Sequence, residues 1–290
     1  AGAPLRALSE MRAAISLVTL LSCPAAAFGG LGARVASLLG GYTTANNSKG
    51  IYYYHNGLRI SPWHDIPFQR GKDKNGTALL SFVCEIPHYS RPKNEIHKTV
   101  PFNPVLQDVE KDGSLRYYNY PLDKPGSICN YGAITQTWED PKALDPDTGL
   151  GGDNDPIDVL QLNENPCKVG SVQRVRVLGG LAMVDSSETD WKLLVIDVDA
   201  KDAPDWHDVS DIPTARVDEL REWFRMYKTA DGKGENQFGL GERAVNAEHA
   251  LKVARGTHEH WATARQGKAS CEFKKEGCWL GKGYPKQQNS

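Results

Sequence analysis

A chain of 290 residues, 40% hydrophobic and 24% charged, has an ordinary globular composition and can bury about three quarters of its unfolded surface without disulfides or a structural metal. A stapled mini-protein and a wholly disordered chain are excluded. With 34 Lys and Arg against 36 Asp and Glu the net charge is −2, so no global field holds nucleic acid and any anionic ligand needs a local cation cluster.

Residues 1–40 read as a targeting presequence. Met11-Arg12 leads into the apolar run Ala13 to Leu21 and then small residues around Pro24 to Phe28, the order of a signal peptide and too short to span a bilayer. No acid occurs from Met11 to His64, in the style of an organelle transit segment. The Ala25-Ala26-Ala27-Phe28 junction resembles the two-part presequences of plastids bounded by extra membranes; mitochondrial, secretory and cytoplasmic destinations stay open. The mature protein is expected to be free of membrane spans.

From Tyr52 to about Asp199 short apolar runs alternate with Pro and Gly. Tyr52-Tyr53-Tyr54, Leu79 to Pro87, Ser171 to Leu178 and Trp191 to Val198 read as strands, and in the third Arg174 and Arg176 alternate with Val175 and Val177. The six cysteines, Cys23, Cys84, Cys129, Cys167, Cys271 and Cys278, form no C-x-x-C pair and are expected as reduced thiols. Only Cys271 and Cys278 have a spacing that would close a short loop.

Asp153, Asp155 and Asp158 lie within Gly151-Gly152-Asp153-Asn154-Asp155-Pro156-Ile157-Asp158, where carboxylates so close repel and require water or cations. Solvated turn chemistry would explain them alone. An EF-hand loop fails at Ile157, which brings no oxygen ligand, and at Asp158, where the sharp turn needs Gly. Asp185 and Asp190 form a second acidic group, read as a loop entering a strand. Oxygen-only ligands favour Mg²⁺ over Zn²⁺. His258 and His260, two apart on a helix, do not share a face for zinc.

After Pro213 the period becomes helical: Val217, Leu220, Trp223, Phe224 and Tyr227, then Ala247, Leu251, Ala254, His258 and Trp261. Strands followed by helices predict an α+β architecture, one antiparallel β domain closing into a barrel with helices outside. The domain spans residues 41–265, and residues 266–290 form a C-terminal tail. Lys93, Arg116, Lys192, Lys228 and the phenols of Tyr131 and Tyr227 could supply donors to a small, highly charged phosphate ligand.

The sequence resembles the eukaryotic-type, family I soluble inorganic pyrophosphatases. Their D-x-D-P-x-D-V signature stands here as Asp153-Asn154-Asp155-Pro156-Ile157-Asp158-Val159, with further landmarks in order. These include Lys93-Asn94-Glu95-Ile96, Gln107-Asp108, Asn130-Tyr131-Gly132-Ala133, Thr137-Trp138-Glu139-Asp140 and Glu188-Thr189-Asp190-Trp191-Lys192. The resemblance covers roughly residues 42–262. It implies a five-stranded antiparallel barrel of the oligonucleotide-binding (OB) type with extra strands, hydrolysing pyrophosphate with several Mg²⁺ ions. Carried across, it makes Asp153, Asp158, Asp190 and Asp185 metal ligands and Asp155 the general base. Lys93, Arg116, Tyr131, Lys192, Tyr227 and Lys228 become substrate-binding residues, with Glu85 and Glu95 as supporting acids. The stretch Tyr118 to Pro121, often more basic in the family, and the tail after Trp261 depart from the pattern. A homodimer and a monomer both fit. The rival readings are a metal-dependent nucleotide phosphohydrolase and a non-catalytic OB-type module; a negatively charged body with clustered acids argues against the second.

Overall fold

Branched and aromatic residues in runs too short for a helix, bounded by Gly and Pro, assemble here into two sheets. The structure, a computed structural model, describes residues 35–38, 42–47, 50–119, 126–201, 203–267 and 278–279. The presequence reading, β1 apart, and Cys271 lie outside them. Among the described residues no helix is long and apolar enough to cross a membrane.

An outer sheet is built from β1 (Val35–Leu38), β2 (Tyr42–Asn47), β3 (Gly50–His55) and β4 (Leu58–Ile60), with β7 (Asn94–Ile96) and β8 (Val105–Gln107) arriving later in the chain. The second sheet contains β5 (Gln69–Lys72), β6 (Ala78–Ile86), β9 (Asn130–Ile134), β10 (Asp158–Gln161), β11 (Val172–Asp185) and β12 (Glu188–Asp197). Its strands run β11-β12-β10-β9-β6, and β6 pairs back onto β11, closing a five-stranded barrel. One seam corrects the antiparallel expectation: β10 pairs with β12 in parallel, making the barrel mixed. The chain then adds α1 (Thr214–Met226), two short strands on β11, β13 (Gln237–Phe238) and β14 (Val245–Asn246), and α2 (Ala247–Arg265).

β11 runs well past the expected end at Leu178. A Cβ at Gly179 would stand 2.5 Å from the Val245 carbonyl oxygen, so glycine is what lets β14 pair antiparallel alongside the strand at Gly179 and Gly180. Arg176 also departs from simple alternation. It is buried, donating to Asp73 at 2.9 Å and to the Trp206 carbonyl at 2.7 Å.

The strand period of two along β12 separates two of the three core clusters. Leu194 and Ile196 cluster with Leu220, Trp223 and Phe224 of α1, whereas Leu193 and Val195 cluster with Ala250 and Ala254 of α2. Val217, Leu220, Trp223 and Phe224 are buried as their spacing predicts. On α2 the fully buried face is Ala250, Ala254, Thr257 and Ala264, rotated from the expected stripe because small residues let the helix approach β11 closely. His258 is committed to structure: its Nδ1 donates to the Gln136 carbonyl at 2.6 Å and its ring stacks on Phe68.

The expectation of reduced thiols is corrected at one pair. Cys84 on β6 and Cys167, in the loop before β11, are joined by a disulfide across 83 residues of sequence, with Cα atoms 6.5 Å apart. The β6–β11 seam brings them together, which no local spacing reveals. Cys129 is a buried thiol.

Candidate active site

Register places the acids. Asp158 opens β10 and pairs with Lys192 of β12, and the two-residue period of β12 puts Asp190 on the same face as Lys192. The loop before β10 is held to the start of β12 by a Gly152–Thr189 bridge and by the Thr189 amide donating to Gly151 at 2.7 Å. Within it the Asp155 amide donates to Asp153 Oδ1 at 3.0 Å, Asn154 takes a positive φ of 71°, and Trp138 Nε1 donates to Asn154 Oδ1 at 2.9 Å. Asp185 and Asp190 flank a β-hairpin, not a loop entering a strand. Asp185 ends β11, Glu188 begins β12, and Ser186 and Ser187 turn the chain at φ 53° and 70°.

These elements enclose a cavity of about 260 Å³ lined by Glu85, Lys93, Glu95, Arg116, Tyr131, Asp153, Asp155, Asp158, Asp185, Asp190, Tyr227 and Lys228. Every site residue expected from sequence lines it except Lys192. That side chain is fully buried beneath the floor, pairing with Asp158 and with Asp190 at 2.5 Å. Burial alone would lower the Lys192 pKa, but Asp158 and Asp190 hold the ammonium well charged. Tyr131 donates its phenol proton to Asp158. Across the cavity Lys93 pairs with Glu95 and, at 3.1 Å, with Asp108, which also accepts from Arg116 at 2.9 Å. Lys228 pairs with Asp185, yet burial and then repulsion from Lys233, Lys93 and Arg116 lower its pKa to about 8. Glu85 accepts from the Ile96 amide at 2.7 Å, tying β7 to β6.

Several residues that sequence reasoning left without a role belong here. Glu139, buried at 4% exposure, brings a carboxylate oxygen within 4.8 Å of oxygens of Asp153 and Asp190. Its Oε1 accepts from the Trp191 amide at 3.1 Å, while Oε2 is buried without a partner. Burial, then Asp153 and Asp190, push its pKa well up. Asp153 is raised by burial and then by Asp190, and Asp190 reaches about 7, burial outweighing Lys192. Asp108 bridges Lys93 and Arg116, Tyr118, Glu188 and Lys233 join the lining, and Lys98 pairs with Asp155 at 2.6 Å. Glu139 and Asp108 stand inside landmarks noted above; Lys98 has no such signal.

Clustered carboxylates facing Lys, Arg and phenol donors suit a metal-assisted reaction on an anion, and the oxygen-only donors with an unpartnered buried Oε2 fit hard divalent cations. The family model for inorganic pyrophosphatase matches residues 82–262. A relative from Zygosaccharomyces bailii, an inorganic pyrophosphatase, is 43% identical over 223 residues, covering 76% of each chain.

The chain belongs to the inorganic pyrophosphatase family.

Two solved members of the family are similar over most of the fold. The type I inorganic pyrophosphatase of Toxoplasma gondii is 38% identical, with a TM-score of 0.70 over 77% of this chain and 99% of its own. A truncated vacuolar soluble pyrophosphatase of Trypanosoma cruzi, solved in complex with PPi, is 32% identical, with a TM-score of 0.68 over 84% of this chain and 97% of its own.

Proposed function

We propose that the chain hydrolyses pyrophosphate to two phosphates in a Mg²⁺-dependent reaction. The convergence of five Asp side chains from the loop before β10, the first residue of β10 and the β11–β12 hairpin with Lys93, Arg116 and Lys228 in one 260 Å³ cavity carries this reading. Asp153, Asp158, Asp190 and Asp185 would hold the cations, with Glu139 behind them. When bound, such ions offset substrate charge and lower the pKa of water from about 15.7 towards roughly 7.

Asp155, whose side chain is 47% exposed against 16% for Asp158, takes the proton of the attacking water. The water oxygen bonds to one phosphorus, and the bridging P–O bond breaks with its electrons staying on the departing phosphate. Lys93, Arg116 and Lys228, with the phenols of Tyr131 and Tyr227, offset the charge gathering there. Lys192, buried between Asp158 and Asp190, keeps those two acids oriented from below.

The test is phosphate release from pyrophosphate and from ATP, with and without Mg²⁺. Release from pyrophosphate alone, abolished by chelation, is expected; equal use of ATP would favour the nucleotide reading. Asp155→Asn should lower kcat by about 10²- to 10⁴-fold while calorimetry finds Mg²⁺ affinity kept, because an amide accepts no proton. Full turnover in that variant would remove Asp155 as the base.

A further inference from the structure

The tail, which the family model does not reach, is joined to the candidate base by a short series of contacts. Lys98 lies in the loop between β7 and β8, and its Nζ pairs with Asp155 Oδ1 at 2.6 Å and donates to the Asn154 carbonyl at 3.3 Å. Lys98 therefore grips two consecutive residues of the acidic loop. Its own carbonyl is held by two donors at 2.9 Å, Asn103 Nδ2 from within the loop and the Trp279 amide from the tail. The Trp279 ring packs on Phe102 with centroids 4.6 Å apart. The Trp279 carbonyl accepts from His64 Nε2 at 2.9 Å, whose Nδ1 in turn accepts from Trp261 Nε1 of α2 at 2.9 Å. Trp279 is thus clamped between the protein body and the loop that carries Lys98.

We propose that Lys98 is a positioning residue for Asp155 and that Trp279 fixes Lys98 in the attitude that reaches it. A half-exposed carboxylate on a turn samples several rotamers, and an ammonium on Oδ1 selects one of them. A base displaced by about 1 Å can cost up to 10²-fold in rate, so the effect belongs in kcat and not in substrate affinity. This inference rests on the reading of Asp155 as the base.

The experiment is a double-mutant cycle in the full-length chain, with pyrophosphate turnover measured at saturating Mg²⁺ alongside Tm and hydrogen exchange at residues 97–103. Lys98→Met should lower kcat about tenfold and Trp279→Ala about threefold, each leaving KM within about twofold and Tm nearly unchanged. Trp279→Phe, which keeps a ring on Phe102, should restore kcat. In the Lys98→Met background Trp279→Ala should have no further effect, and by itself it should speed exchange at residues 97–103. Equal losses from Trp279→Ala in both backgrounds, or unchanged exchange, overturn the role of the tail. Wild-type kcat in Lys98→Met overturns the role of Lys98. If Asp155→Asn keeps full turnover, the reading of the base has failed, whereas the exchange result still decides whether Trp279 fixes the loop.

Discussion

Glu139 places an unpaired carboxylate oxygen behind Asp153 and Asp190, and such an atom, buried at a cost of about 1–3 kcal/mol, calls for a partner. A cation drawn to Asp153 and Asp190, or a water attached to it, would supply one. Glu139→Gln preserves an acceptor for the Trp191 amide and removes the charge, so it should weaken Mn²⁺ or Mg²⁺ binding about tenfold or more in calorimetry with little change in Tm. Unchanged affinity would place this oxygen outside the cation's reach. Asp153, Asp155 and Asp158 were visible in the sequence because repulsion among neighbours demands an explanation. Glu139, Asp108 and Lys98 are single charges in separate segments, and their meaning arises only when the chain folds back on itself.

At the scale of elements the site is a product of strand register. The parallel seam puts Asp158 beside Lys192, and the hairpin turn at Ser186-Ser187 sets Asp185 and Asp190 at the same barrel end. Periodicity located β6, β12 and α1, but it cannot tell parallel from antiparallel pairing, and it ended β11 at Leu178, short of the Gly179-Gly180 step where β14 pairs. His64 carries a comparable element-level contact, joining α2 to the tail through both ring nitrogens. Burial, then Arg265, lowers its pKa from 6.5 to about 3, so the folded state holds it neutral. The unfolded chain therefore binds the extra proton first. The stability this provides is complete above pH 6.5 and is lost as pH falls towards 3, by up to about 1.4 kcal/mol per pH unit. Urea unfolding at pH 7 and pH 5 should show a steeper loss for the parent than for His64→Gln; parallel losses would place the acid sensitivity elsewhere.

For the whole molecule, closure of β6 onto β11 leaves the barrel without a free edge of its own, and α1 and α2 pack into different core clusters of it. Composition and the change from strand to helix periodicity were enough to anticipate a barrel with helices outside. The Cys84–Cys167 bond was not legible, since its partners are neighbours only across the closing seam.

That bond, joining residues 83 apart in sequence, shuts Lys93, Arg116 and the whole Asp153–Asp158 segment inside a covalent ring. A single molecule drawn out by its ends would pull Asp185 and Asp190 away under tension while the enclosed acids stayed gathered. Its final length would fall short by about 280 Å, at roughly 3.4 Å per residue, and adding a thiol reductant would return that slack.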